Sequence, residues 1–163
     1  MATKKFQSKE VERQYLKSDK QGIMEVVQHC CVNDYQFASF ANDKGTVFEM
    51  KRPDLIINGS LSEIIVSHNW LTMVKPTSEK WRYGIMIFMR KAGQARYLKE
   101  GQDGYWWIVN GIGTHALILN FKAKPLGEGT YYDRKRGTRD EVVYFDLADA
   151  KLIKLDKTNT RLN

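Results

Sequence analysis

The chain has 163 residues, 42% hydrophobic and 12% aromatic, enough for a packed core, and its three prolines and lack of low-complexity tracts argue against disorder except at the ends. Lysine and arginine outnumber aspartate and glutamate by 26 to 19, a formal charge of +7 that favours polyanionic partners. No apolar stretch approaches the roughly 20 residues of a membrane-crossing helix, and the first residues, Met1 to Phe6, lack the apolar core of a signal peptide. The expectation is a cytoplasmic or nucleoid-associated protein, not secreted and not bound to a membrane.

Ser8 to about Lys20 predicts a helix. Ser8 is its cap, and Glu10 and Glu12 stand in the first turn, where the helix dipole favours negative charge. Gly22 is its expected end. Ile23 to Val32 is apolar and fits either a helix or a strand, with spacing that suits a helix better. It contains the two cysteines, Cys30 and Cys31, which are adjacent and therefore suited neither to an ordinary loop-closing disulfide nor to a zinc site. No cofactor is expected from them.

Tyr35–Ala41 and Thr46–Lys51 flank Asn42-Asp43-Lys44-Gly45 and predict a hairpin, closed by Pro53. Ser60 to Met73 reads as a second helix: Ser60 caps, Glu63 completes a capping box, and Leu61, Ile64, Ile65, Trp70 and Leu71 form an apolar face. Trp81 to Met89 follows as an apolar strand. From Lys91 to Asp103 the chain turns basic and glycine-containing, the expected boundary between an α+β domain (1–92) and a second domain (100–157).

The second domain reads as five short strands, Tyr105–Val109, His115–Phe121, Thr130–Tyr132, Val142–Phe145 and Leu152–Leu155, punctuated by glycines. Five such strands satisfy their edges by curling into a small barrel. The ending from Val142 to Ile153, strand–tight turn–strand, resembles SH3-like barrels of the Tudor and KOW type, which implies a nucleic-acid or chromatin protein. Trp106 and Trp107 are consecutive, so a strand would turn them to opposite faces, one to the core and the other to a surface or an interface.

Two sets of basic residues are the candidate nucleic-acid contacts. Arg90, Lys91, Arg96 and Lys99 lie near the boundary, and Arg134, Lys135, Arg136 and Arg139 form a basic loop preceded by Tyr131 and Tyr132. Cations at a hairpin tip reach phosphates, and neighbouring tyrosines stack on exposed bases. No recognition helix rich in Arg, Asn and Gln is legible, so the expected function is DNA binding through phosphates with little sequence preference, double-stranded DNA foremost. A module for an acidic protein partner would use the same charge.

Phe48-Glu49-Met50-Lys51 carries the enzymatic alternative. In a strand Glu49 and Lys51 share one face. With an earlier Asp34 and a helical Glu10, this E-x-K resembles the PD-(D/E)xK nuclease superfamily. The resemblance implies a divalent metal such as Mg2+ held by two acidic groups, with the lysine activating or positioning the attacking water. Asp54, after Pro53, is a further acid outside that order. The competing reading is an amphipathic strand with a solvent-facing Glu/Lys pair. His29, His68 and His115 show no ligand spacing, and no other catalytic motif is present.

Overall fold

The computed structural model describes residues 9–39, 53–134 and 136–157. Its elements are α1 (Lys9–Val32), β1 (Phe37–Ser39), β2 (Leu55–Ile57), β3 (Ser60–Ser67), β4 (Ile85–Phe88), α2 (Met89–Ala92), β5 (Gly104–Asn110), β6 (His115–Asn120), β7 (Pro125–Asp133), β8 (Thr138–Phe145) and β9 (Lys151–Lys154), with short 3-10 turns at Gly93–Tyr97 and Leu147–Asp149.

The strands form two open sheets. Six pair in the order β1-β2-β3-β5-β6-β9, and three in the order β4-β8-β7. The β3–β5 pairing is parallel, from Leu61↔Gly104 to Ser67↔Asn110, so the main sheet carries strands from both sides of the 91–103 segment. A parallel strand pair is buried on both faces. Here α1 covers one face, where Val26 and Cys30 pack with Ile64, Trp107, Val109 and Ala116. The three-stranded sheet covers the other, with Ile85, Ile87, Val143 and Phe145 against Trp106, Ile108, Leu117 and Leu119. The consecutive tryptophans are thus both buried, Trp106 between the sheets and Trp107 beneath α1.

This arrangement overturns the expected fold of an N-terminal α+β domain followed by an SH3-like barrel. The five C-terminal strands form but do not close into a barrel: β5, β6 and β9 extend the main sheet from β3, while β8 pairs with β4 on one side and β7 on the other. The turn after Val142–Phe145 exists, capped by Asp146 accepting the Ala148 amide, yet its two strands belong to different sheets. Local strand signals were sufficient; the partners come from elsewhere in the chain.

Three further expectations are corrected. The helix does not end at Gly22 but runs on to Val32, because Gly22 is the point of close approach to the sheet: a Cβ there would stand 2.5 Å from a Val66 methyl. The Ser60–Met73 helix is instead strand β3. Asn58 (φ 48°) and Gly59 (φ 82°) are both left-handed, the two-residue turn that joins strands in a tight hairpin, and Ile57 pairs with Ser60 across it. The strand expected over Trp81–Met89 is shortened to Ile85–Phe88. The Thr46–Lys51 strand of the other expected hairpin lies outside the described residues. Among the described residues, no helix is long and apolar enough to cross a membrane.

Candidate active site

The site lies where the main sheet loses a strand. Leu55, the first residue of β2, pairs with Ser62, and β3 continues past that point with no β2 neighbour. Asp54, just before β2, fills the gap: its carboxylate accepts the backbone N–H of Ile64 at 2.8 Å. Glu63, the residue before Ile64, lies on the stretch of β3 that has run past its β2 pairing.

Glu63 is 1% exposed. It stands opposite Trp106 in the β3–β5 pairing and so faces the layer between the two sheets. Burying a carboxylate here requires a partner, and α2 supplies it. The Trp106 indole N–H donates to the Lys91 carbonyl at 3.2 Å, holding α2 over this face, and the Lys91 ammonium donates to Glu63 Oε1. Glu63 Oε2 is buried and has no hydrogen-bond partner among the described residues.

The electrostatics follow from this crowding. Burial, with the negative charge of Asp54, pushes the Glu63 carboxyl up to about 8 against the pull of Lys91. Burial opposes the charge on Lys91, but Glu63, Asp54 and Asp19 of α1 outweigh it and hold its pKa above the ordinary value. An acid displaced toward neutrality beside a permanently charged ammonium is a pairing typical of functional sites. An acidic pair with an uncommitted oxygen also suits a hard divalent cation, which takes oxygen ligands and keeps several waters. Among the described residues no three His, Cys, Asp or Glu side chains form a complete cation cage.

The residues singled out by sequence fall elsewhere. Glu49 and Lys51 lie outside the described residues. Asp34 is exposed in the turn after α1, with φ 55°, and Glu10 is exposed on α1 beside Arg13. Of the expected nucleic-acid contacts, three are held internally. Lys91 pairs with Glu63; Arg90 pairs with Asp140 at 3.4 Å and covers the Phe88 ring. Arg136 is buried, with its Nε donating to Asp133 at 3.0 Å and its Nη2 to Asp140. Arg96, Lys99, Arg134 and Arg139 are exposed, and Lys135 is outside the described residues.

The histidines remain apart. His29, in the last turn of α1, is buried, its Nδ1 accepting the Asp156 backbone N–H at 3.0 Å; His68 meets Ser18, and His115 meets Thr114.

Sequence reasoning missed Glu63 and passed over Asp54. The available signals were the Asn58-Gly59 turn, which turns the following segment into a strand, and the Pro53-Asp54 pair ahead of it. Nothing in the local sequence of Lys91 marks it as the partner. Comparison with protein-family models, curated proteins and solved structures finds no match.

Proposed function

We propose that the protein is a divalent-metal-dependent nuclease whose site is Asp54, Glu63 and Lys91. The carrying observation is Glu63: a buried carboxylate on β3 just past the end of its β2 pairing, one oxygen committed to Lys91 and the other without a hydrogen-bond partner among the described residues, next to a second acid. Two acids followed in the chain by a lysine is the order that the nuclease resemblance implied for Asp34, Glu49 and Lys51. Here it is carried by other residues, with the lysine delivered by α2 rather than by the strand. The net charge of +7 suits a polyphosphate substrate.

Under this reading Asp54 and Glu63 hold a Mg2+ or Mn2+ ion. When bound, that ion would supply Lewis-acid stabilisation of charge on the phosphate. Asp54 is fixed by the Ile64 amide and needs little reorganisation to act as a ligand. Lys91, close to both acids, orients the attacking water and offers positive charge where negative charge develops. The layer between the sheets limits access by bulk solvent around Glu63, which strengthens each of these interactions.

Incubating plasmid and linear single-stranded DNA with the protein and Mg2+ or Mn2+ tests the proposal. Metal-dependent cleavage is expected, abolished by chelation and lost in Asp54→Asn and Glu63→Gln. Lys91→Ala should slow it by on the order of 100-fold or more. Absence of cleavage with both metals on all substrates would overturn the reading.

A second reading, nucleic-acid binding through phosphates without cleavage, is favoured by the Lys91–Glu63 contact itself, which gives each charge a partner without any metal. It predicts salt-sensitive binding that Glu63→Gln leaves unchanged.

A further inference from the structure

The β7–β8 hairpin is longer than the sheet it belongs to. β4 pairs with β8 only over Val142–Phe145 before the chain turns into α2. Thr138–Glu141 and their partners Thr130–Asp133 therefore extend past β4 as a two-stranded arm. Such a ribbon is stiff only if braced, and here it is. Asp140 forms ion pairs with both Arg90 of α2 and Arg136 of the tip, and Asp133 also accepts from Arg136. Phe88 lies against Tyr131, with the Arg90 guanidinium over its ring. Arg136, expected from sequence to reach outward, is folded in as part of the brace.

With Arg136 committed inward, the outward chemistry of the arm is Tyr132 paired across the strands with Arg139. Tyr132 is 54% exposed, and Arg139 is exposed. Alternation along β8 turns Arg139 to the same side as Val143, which packs into the layer between the sheets. The pair thus faces the side of the layer between the sheets, toward which Glu63 also points, while Arg90 of α2 braces the opposite face of the arm through Asp140. An exposed phenol ring offers an apolar face of base size, and the guanidinium next to it suits a phosphate.

We propose that this arm is the substrate grip of the site, stacking an unpaired base on Tyr132 while Arg139 holds the adjoining phosphate. The inference rests on the nuclease reading and names its substrate class: a single strand or an unpaired segment, since a base inside a duplex has no free face to stack. Because Arg90 braces the arm and its chain neighbour Lys91 enters the site, grip and chemistry share one short helix.

The test measures binding and cleavage separately on the full chain. Fluorescence anisotropy in chelator, over a range of salt, compares a single-stranded DNA, an RNA of the same sequence and a hairpin duplex. Tyr132→Ala should weaken single-strand binding roughly 10-fold or more, with Tyr132→Phe restoring it and duplex binding unchanged. Arg139→Ala should lower the salt slope for single strands by about 0.7, the contribution of one phosphate. The DNA and RNA arms show which backbone is preferred. Equal single-strand affinity in wild type and Tyr132→Ala, or equal loss on duplex, overturns the grip. Cleavage abolished by Asp54→Asn but indifferent to Tyr132→Ala would leave the site standing and remove the arm. Binding lost in Tyr132→Ala with no cleavage by the wild type would do the reverse.

Discussion

Arg90 and Lys91 are consecutive on α2, yet they bind different parts of the protein: Arg90 reaches Asp140 on the β7–β8 hairpin, and Lys91 reaches Glu63 on the main sheet. A four-residue helix thereby couples the two sheets through two ion pairs, both largely withdrawn from water. Removing one member of such a pair strands the other, so the coupling is open to direct measurement.

Asp140 holds two guanidinium groups. In Asp140→Asn the charge is lost while the shape is kept, leaving Arg136 with Asp133 as its carboxylate contact among the described residues. A loss of about 1–3 kcal/mol in stability is expected, read from the midpoint of urea unfolding. An unchanged midpoint would mean that the hairpin is not braced at its base.

Glu63 sets a pH signature. Its folded pKa of about 8 stands above the ordinary 4.5, so between those values the folded state retains a proton that the unfolded chain has released. Stability therefore falls as pH rises through that window. Glu63→Gln should flatten the thermal midpoint across it. A divalent cation that displaces the proton should raise the wild-type midpoint more at about pH 8 than at pH 6, and should do little for the variant.

His29 acts with the opposite sign. Burial lowers its pKa below 6.5, with Asp156 opposing, and its neutral Nδ1 accepts the Asp156 amide. This contribution is present above pH 6.5 and is lost as pH falls through the folded value. Protonation removes that acceptor, so amide exchange at Leu155 to Lys157 is expected to quicken on acidification. In His29→Leu the acid dependence should disappear, along with part of the stability at neutral pH.

Gly22→Ala provides a packing test. In an exposed helix this change stabilises by about 1 kcal/mol. Here the new methyl meets Val66 at 2.5 Å and Ile64 at 3.3 Å, and overpacking of this kind costs about 1–3 kcal/mol. Net destabilisation is expected by denaturant titration; net stabilisation would show that α1 can lift from the sheet at little cost.

Much of the fold was legible locally and little of it globally. The strands at Tyr105–Val109 and His115–Phe121 declared themselves by apolar, β-branched runs between glycines. Their destination did not, because β5 pairs with β3 across an intervening segment that includes another sheet's strand. Ser60–Ser67 was misread because a strand buried on both faces has no alternation, and Ser60 with Glu63 imitates a helix cap. The acid of the site was hidden by that same error. Lys91 stands out in the sequence for its charge and reads as a nucleic-acid contact, since only tertiary structure places it against Glu63. The basic loop was also half legible: its cations were evident, but the inward turn of Arg136 depends on Asp133 and Asp140.

The parallel pairing of β3 with β5 carries a consequence for how the molecule assembles. Residues 68–103 must first be looped out before these strands can meet, an entropic toll exacted ahead of any reward from their contact. Lys91 rides on that loop, whereas Asp54 and Glu63 belong to a hairpin able to form early. During refolding the acids should come together long before the lysine arrives, so that recovery of the complete triad lags behind recovery of secondary structure.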